Sequence, residues 1–432
     1  MKRNALIAAL GLIYSLTISA VEIDSSRLLV KLRIGQTAES AGLGKTAYHL
    51  FGQWWTVANQ GLELENSLDK NDSVEMVQPN YKSAKRKLPR PLEVKLSEIE
   101  KGNGAAFNDP YLSRQWAFQS AAQSGISVID AYTRRASSKR AEIIVAVVDT
   151  GVDVNHEDIP MWKNTKEIPA NNFDDDQNGY IDDVYGINTL VRRADGKPSS
   201  NIADGHGHGT HVSGTIAGIQ NNGKGVAGVA TNVKIMGIRT VPNNGDETDA
   251  DVIESYIYAA KNGAKVINCS FGKAESGIAV QEAIDYVGNN FGVLVVAASG
   301  NSSEDIDSNP AYPASFTSSN LLVVASTSSS GGLSSFSNTG ATGVDLAAPG
   351  SSIISSMPSN RYGNMSGTSM ASPHAAGVAA EVLSQFPSLS VSELKDVLME
   401  SITPVRSFEG RMIAGGRIDL NRALDKAAAG KP

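Results

Sequence analysis

Gly367-Thr368-Ser369-Met370-Ala371-Ser372-Pro373-His374 leads into an alanine-rich run, residues 375–386, with no proline inside it. Such a run reads as a buried helix. Pro373 suits the first turn, where its missing N–H removes only a donor that has no partner inside the helix. Ser369 is therefore expected at a helix N-terminus. There the free N–H groups and the positive end of the dipole favour negative charge. A serine nucleophile needs that environment, because its attack creates an oxyanion. The other reading is an ordinary serine N-cap. The octapeptide leaves both open.

Working outward, strand-like apolar runs occur at 143–149, 233–238, 265–270, 293–298 and 321–325, with helical candidates at about 206–219, 249–262 and 276–290. Continuous apolar strands alternating with helices predict an α/β fold, a parallel β-sheet flanked by helices on both faces. Ligands in such folds bind at the carboxyl ends of strands. Asp149 ends the first run, Ser270-Phe271-Gly272 closes another, and Ser299-Gly300-Asn301 follows 293–298. A carboxylate after four apolar residues is costly to bury unless it is hydrogen-bonded, and an imidazole N–H would satisfy it. Candidate imidazoles lie in Asp204-Gly205-His206-Gly207-His208-Gly209-Thr210-His211. Alternating His and Gly also suits a metal cluster, although no matching Cys or Glu motif accompanies it.

Together, the Asp149, His208-Gly209-Thr210-His211 and Gly367–His374 segments resemble the subtilisin-like serine peptidases (subtilases), whose chain order is Asp, His, Ser. The resemblance covers nearly all of residues 107–427. It implies that Asp149 orients the base, His208 is the general base and then acid, Ser369 is the nucleophile, and Asn301 is an oxyanion donor. His206 and His211 are then structural. Ser270-Phe271-Gly272 and Ala298-Ser299-Gly300 resemble the walls of the pocket for the side chain before the cut, with Ala311 at its floor. These segments carry no charge, so an apolar or medium-sized side chain and broad selectivity are expected. Two rival readings use the same residues: a catalytically dead scaffold, and a processing peptidase with one substrate.

The front of the chain fits a precursor. Residues 1–20 read as a secretory signal: Lys2 and Arg3, an apolar stretch, then Ser19-Ala20. An uncleaved anchor is the alternative. Residues 21–81 read as a small α+β unit with strand-like runs at 27–34 and 74–81. Residues 82–106 crowd Lys82, Lys85, Arg86, Lys87 and Arg90 before Gly102-Asn103-Gly104, as an exposed basic linker would. The resemblance implies that 21–81 is a propeptide, a folding assistant and inhibitor, with the maturation cut in 82–107. Residues 107–432 form the catalytic domain. Protein or peptide substrates, the chain's own propeptide, a monomer and a secreted destination (extracellular or periplasmic) follow. A net charge of −7 argues against nucleic acid as the main partner. No stable membrane association is expected. The single cysteine, Cys269, excludes an internal disulfide and reads as a small buried hydrophobe. Sequons at Asn268 and Asn301 are read as chance, since sugar there would disrupt a strand and the oxyanion site; a third lies at Asn364.

Residues 173–183, Phe-Asp-Asp-Asp-Gln-Asn-Gly-Tyr-Ile-Asp-Asp, alternate oxygen ligands and then turn on a glycine, which is the wrapped geometry Ca²⁺ takes. The expected ligands are Asp174, Asp176, Asn178, Asp182 and the carbonyl of Tyr180, with Asp183 a further candidate. The full EF-hand length and its distal Glu are lacking, and an acidic solvated loop is the other reading. The resemblance implies a second structural Ca²⁺ site from Asp109, Asp158 and Asn222. Carbonyls of 220–226 complete it, with the Lys224 side chain turned away.

Overall fold

The computed structural model describes residues 22–82, 88, 92–93, 107–244 and 247–430. The expected signal segment and most of the linker lie outside them. An N-terminal unit comprises β1 (Ile23–Leu32), β2 (Tyr48–Phe51), β3 (Trp54–Ala58), α1 (Leu62–Asp69) and β4 (Val74–Tyr81). Its antiparallel sheet has the order β2-β3-β1-β4. Strand β5 (Leu92–Glu93) lies in the linker.

The rest is built from α2 (Val128–Arg134), β6 (Ile143–Asp149), β7 (Gly186–Arg192), β8 (Pro198–Ser199), α3 (His208–Ala217), β9 (Val233–Arg239), α4 (Asp249–Lys261), β10 (Val266–Cys269), α5 (Ile278–Phe291), β11 (Leu294–Ala298), β12 (Leu321–Thr327) and β13 (Leu346–Pro349). A hairpin of β14 (Ile353–Met357) and β15 (Arg361–Met365) precedes α6 (Thr368–Gln385), α7 (Val391–Glu400), β16 (Thr403–Pro404), β17 (Gly416–Arg417) and α8 (Leu420–Ala429). The large sheet has the order β16-β17-β13-β12-β11-β10-β6-β9-β7-β8. Pairing is parallel from β17 through β7, and only β16 and β8 are antiparallel.

The expected α/β architecture is present, and the strand sequences show why. Successive residues of one strand pack on opposite faces. Val145 and Val147 of β6 join the core under α3 and α6, whereas Ala146 and Val148 join the core under α4 and α5. Leu294 and Val296 of β11 divide from Val295 and Ala297 in the same way. Both faces are covered, so both positions of the period are apolar. From β6 the chain moves to β9 and β7 on one side and to β10, β11, β12 and β13 on the other. The direction reverses at β6, which opens a crevice beyond its carboxyl end, where Asp149 sits.

One local expectation is corrected. Helix α6 starts at Thr368 with Gly367 as its N-cap, so Pro373 lies inside the helix rather than in its first turn. A proline there leaves the carbonyl four residues earlier without its helical donor. That carbonyl belongs to Ser369, and the Ser270 hydroxyl donates to it at 2.9 Å. The hydrogen bond that the helix loses is replaced by one from the end of β10.

The N-terminal unit docks on α4 and α5. Asn80 Oδ1 accepts from Ala250 N at the start of α4, and Gln78 Oε1 accepts from Ala279 N at the start of α5. Trp54 Nε1 and Lys31 Nζ both donate to Glu282. Gly277 has room for nothing larger, because a Cβ there would lie 1.8 Å from Gln78 Nε2. Lys82 then bridges to Thr248, and Glu93 and Leu92 of β5 pair antiparallel with Gly363 and Asn364 of β15. Among the described residues no helix is long and apolar enough to cross a membrane.

Candidate active site

The acid, the imidazole and the hydroxyl stand at element ends. Asp149 ends β6, His208 opens α3, and Ser369 is the second residue of α6. His208 Nδ1 lies 2.7 Å from Asp149 Oδ1, and both side chains are 1% exposed. The same oxygen accepts Thr150 N at 2.7 Å. Gly209 makes this approach possible, since a Cβ there would sit 2.0 Å from the Gly151 carbonyl oxygen. The N-terminus of α3 is held by Asp204, a residue that sequence reading gave no role. Its Oδ1 accepts Thr150 Oγ1, His206 N and Gly207 N, and its Oδ2 accepts the amide and hydroxyl of Thr210. The signal was available in the acidic residue ahead of the His-Gly repeat, at the end where a dipole favours a carboxylate.

Ser369 is not a capping serine. Its hydroxyl donates to the Ser270 carbonyl at 3.1 Å, and Gly367 is the N-cap. His208 Nε2 is buried with no hydrogen-bond partner. The Ser369 N–H lies in the first turn, where no intrahelical acceptor exists. Asn301 Oδ1 accepts from the amide and the hydroxyl of Thr368 at 2.8 and 3.0 Å. Its oxygen is thereby occupied, and the amide NH₂ is what it can offer the cleft.

Two other histidines are held by backbone carbonyls. His211 Nε2 donates to the carbonyls of Ile353 and Gly363, tying α3 to the β14–β15 hairpin. His374 Nδ1 bonds the Met370 carbonyl. His206 is half-buried, its ring 6.3 Å from that of His208. Burial pushes His211 down to about 3 and His374 down to about 4. Both rings stay neutral when folded, so below about pH 6.5 the unfolded chain binds more protons than the native one. Stability is then full above that value and is lost as pH falls toward 4. Denaturant titrations across this range should show the unfolding free energy falling, with uptake of up to about two protons from these rings.

Ser270, Phe271, Gly272, Ala298, Gly300 and Ala311 line one cavity of about 300 Å³ with Asn301, Thr368 and Ser369. Ser299 does not; it is buried, with its hydroxyl on the Asn338 carbonyl. Lys273 and Glu304 also line the cavity and were not expected. The Lys273 ammonium is paired with buried Asp249 at 2.6 Å, whereas Glu304 is exposed at the rim. Leu88 of the linker, 8% exposed, borders the same cavity. Asn268 is fully buried and bonded to Ser270 and Ser372, which leaves no place for a sugar in the folded chain. Cys269 is buried too, and burial pushes its thiol up to about 12.

The acidic loop brings two of the expected residues, Asp176 and Asp183, together with one that was not expected, Glu167. Oxygens of Glu167, Asp176 and Asp183 lie within 4.8 Å of one another. Asp174 accepts from Asn178 N and Gly179 N, and Asp182 from Asn171 N and Asn172 N, so both fasten turns outside that cluster. Asn178 Oδ1 accepts Tyr180 N, while its amide reaches Asp183. Glu167 precedes the motif, and no spacing rule pointed to it. At the second location Asp109 Oδ1 is buried without a partner, and Asp109 Oδ2 accepts Asn221 N. Asn222 Nδ2 donates to Asp158 Oδ1, and Lys224 turns outward to Glu157. Burial first, and Asp109 nearby, push Asp158 up to about 7. An orphaned carboxylate oxygen beside a second buried carboxylate is a donor set suited to a hard cation.

The family model that describes the subtilases matches residues 140–421. Subtilisin DY of Bacillus licheniformis is 34% identical over 281 residues, 65% of this chain and 90% of that protein. Thermitase of Thermoactinomyces vulgaris is 35% identical over 317 residues, 73% of this chain and 98% of that protein. A solved protease of Pseudoalteromonas arctica PAMC 21717 superposes with a TM-score of 0.60 at 28% identity, covering 75% of this chain and 100% of its own. With the fold and these relatives in agreement, the chain belongs to the subtilase family and is a subtilisin-like serine endopeptidase.

Proposed function

We propose that Asp149, His208 and Ser369 are the catalytic acid, base and nucleophile of a secreted endopeptidase made as an autoinhibited precursor. The observation that carries this is the buried 2.7 Å Asp149–His208 bond, beside the shared place of Ser369 and Asn301 in the lining of one cavity. Ser369 Oγ attacks the scissile carbonyl carbon while His208 Nε2 takes its proton. Asp149 holds the ring's other N–H and stabilises the imidazolium. The oxyanion is received by Asn301 Nδ2 and the Ser369 N–H. The C–N bond breaks, the amine leaves with the proton from His208, and water repeats the sequence on the acyl-enzyme. To start, the serine hydroxyl must leave the Ser270 carbonyl and turn to His208. The cavity favours an apolar or medium-sized side chain before the cut, since Lys273 is already neutralised by Asp249 and Glu304 stands exposed at the rim, in water.

Residues 21–81 act as the propeptide. The docking of Gln78 and Asn80 on α5 and α4, and the seating of Leu88 beside the cavity, support this reading. Leu88 is followed by Pro89. A prolyl nitrogen has no N–H and its ring crowds the preceding residue. The maturation cut in 82–107 is therefore placed at a bond other than Leu88–Pro89. Expression of the chain beside Ser369→Ala tests the whole reading. The parent should lose its N-terminal segment and cleave casein while the variant stays full length and inert. Trimming of both with casein cleavage by neither would overturn it.

Calcium suits both carboxylate groups. Glu167, Asp176 and Asp183 would hold one ion, and Asp109, Asp158 and the 220–226 loop another. Bound calcium would neutralise carboxylates whose burial otherwise costs stability. The sign follows from Asp158, whose folded value of about 7 lies above the ordinary 3.8. Without a cation, stability should fall as pH rises between those values, by at most about 4 kcal/mol. Calcium-depleted protein should therefore lose more melting temperature at pH 8 than at pH 5. Equal melting curves with and without the ion at pH 8 would count against both sites.

A further inference from the structure

Asn338 lies outside every motif that sequence reading singled out, yet its bonds fall on both sides of Asn301. Its Nδ2 donates to the Ser299 carbonyl at 3.1 Å, and its backbone N donates to the Gly300 carbonyl at 3.0 Å. Its Oδ1 accepts from Ser302 N at 2.9 Å and Glu304 N at 3.0 Å. The Asn338 carbonyl also receives the Ser299 hydroxyl. The residue is 2% exposed, so these bonds are made away from water. Gly300 has φ +109, and a Cβ there would lie 2.3 Å from Asn338 Nδ2. The loop from Ser299 to Glu304 is thus wrapped around one carboxamide, and Asn301 projects from the middle of the wrapped segment.

We infer that Asn338 is a positioning residue that fixes Asn301 where the oxyanion forms. An oxyanion donor contributes fully only when its N–H is already aimed at the developing charge, because reorganisation during the reaction costs part of the gain. Thr368 fixes the tip of Asn301 through its Oδ1, and Asn338 fixes the backbone on which that side chain is mounted. The two sets act at different points: Thr368 anchors the side chain to the start of α6, and Asn338 holds the loop within reach of that anchor. This rests on the reading of Asn301 as the oxyanion donor.

The experiment compares Asn338→Ala, Asn301→Ala and the double variant in the matured enzyme. It reads kcat and KM on one peptide substrate, and the affinity of a peptide aldehyde, whose adduct with the serine carries a tetrahedral oxyanion. Asn338→Ala should lower kcat roughly tenfold or more with KM nearly unchanged, weaken the aldehyde in parallel, and add little on top of Asn301→Ala. Asn338→Asp keeps the acceptor for Ser302 and Glu304 and should recover part of the loss. This rescue also serves as the readable variant if the alanine change prevents folding. Full multiplication of the two losses in the double variant, or a loss confined to KM, would overturn the assignment. If Asn301→Ala leaves kcat unchanged, the oxyanion reading itself fails. If it lowers kcat and Asn338→Ala and Asn338→Asp do not, only the positioning role fails.

Discussion

Ser369→Ala should lower kcat by about 10⁶, and His208→Ala by a similar factor, with the double variant no worse than either. The non-additivity is the informative part. The hydroxyl is a poor nucleophile until the imidazole takes its proton, and the imidazole has nothing to deprotonate once the hydroxyl is gone. Each substitution removes the same step. What survives would come from the oxyanion donors and substrate binding, which the two changes leave in place. On the proposed self-maturation such variants stay full length, so the N-terminal segment is removed by added parent enzyme, which is then inhibited. Hydrolysis of a chromogenic peptide under single-turnover conditions gives the comparison. Losses that multiply in the double variant would mean that the two groups act independently, contrary to the proposed transfer of the Ser369 proton to His208.

Asn301→Ala should cost roughly 100- to 1,000-fold in kcat with KM little changed, the loss seen for one oxyanion donor in subtilisin. The effect lands on kcat because the amide meets an oxygen that becomes negative only in the transition state. Asn301→Asp should be at least as damaging, since it sets a carboxylate where negative charge develops. Thr368→Val makes a graded companion. It removes the hydroxyl that donates to Asn301 Oδ1 at 3.0 Å and leaves the backbone donor at 2.8 Å in place. A parallel rise in KM with no change in kcat would place Asn301 in ground-state binding instead.

The sequence made local features legible and left the long-range ones hidden. Strand β6 was readable to its ends, since an unbroken apolar run bounded by turns carries its own limits. Asp149 was readable because a carboxylate closing a buried strand demands a partner. Pro373 was misplaced by its own local logic: proline belongs in a first turn unless a distant group repairs the ladder, and Ser270 lies 99 residues away. Asn338 was missed for the same reason, since its work is done through backbone groups that have no sequence signature, whereas Asp204 stood in view ahead of the His-Gly repeat and was passed over. Glu167 stood outside the acidic motif and reached the carboxylates of Asp176 and Asp183 only through the folded loop. Strands β14 and β15 were overlooked because serines and asparagine dilute their apolar pattern, although β14 is buried throughout.

The two residues by which the N-terminal unit occupies the helix starts are amides, Gln78 and Asn80. A carboxylate in either position would answer the helix dipole more strongly, but it would also pick up a proton in acid and let go. An amide has no proton to gain between about pH 4 and about pH 10. These two contacts at α4 and α5 are therefore indifferent to acidity, in contrast to the carboxylate of Glu282, which receives Trp54 and Lys31 on α5. Acidification reaches the molecule elsewhere too, through the buried imidazoles of His211 and His374, which lie among the large sheet and its helices rather than under the N-terminal unit.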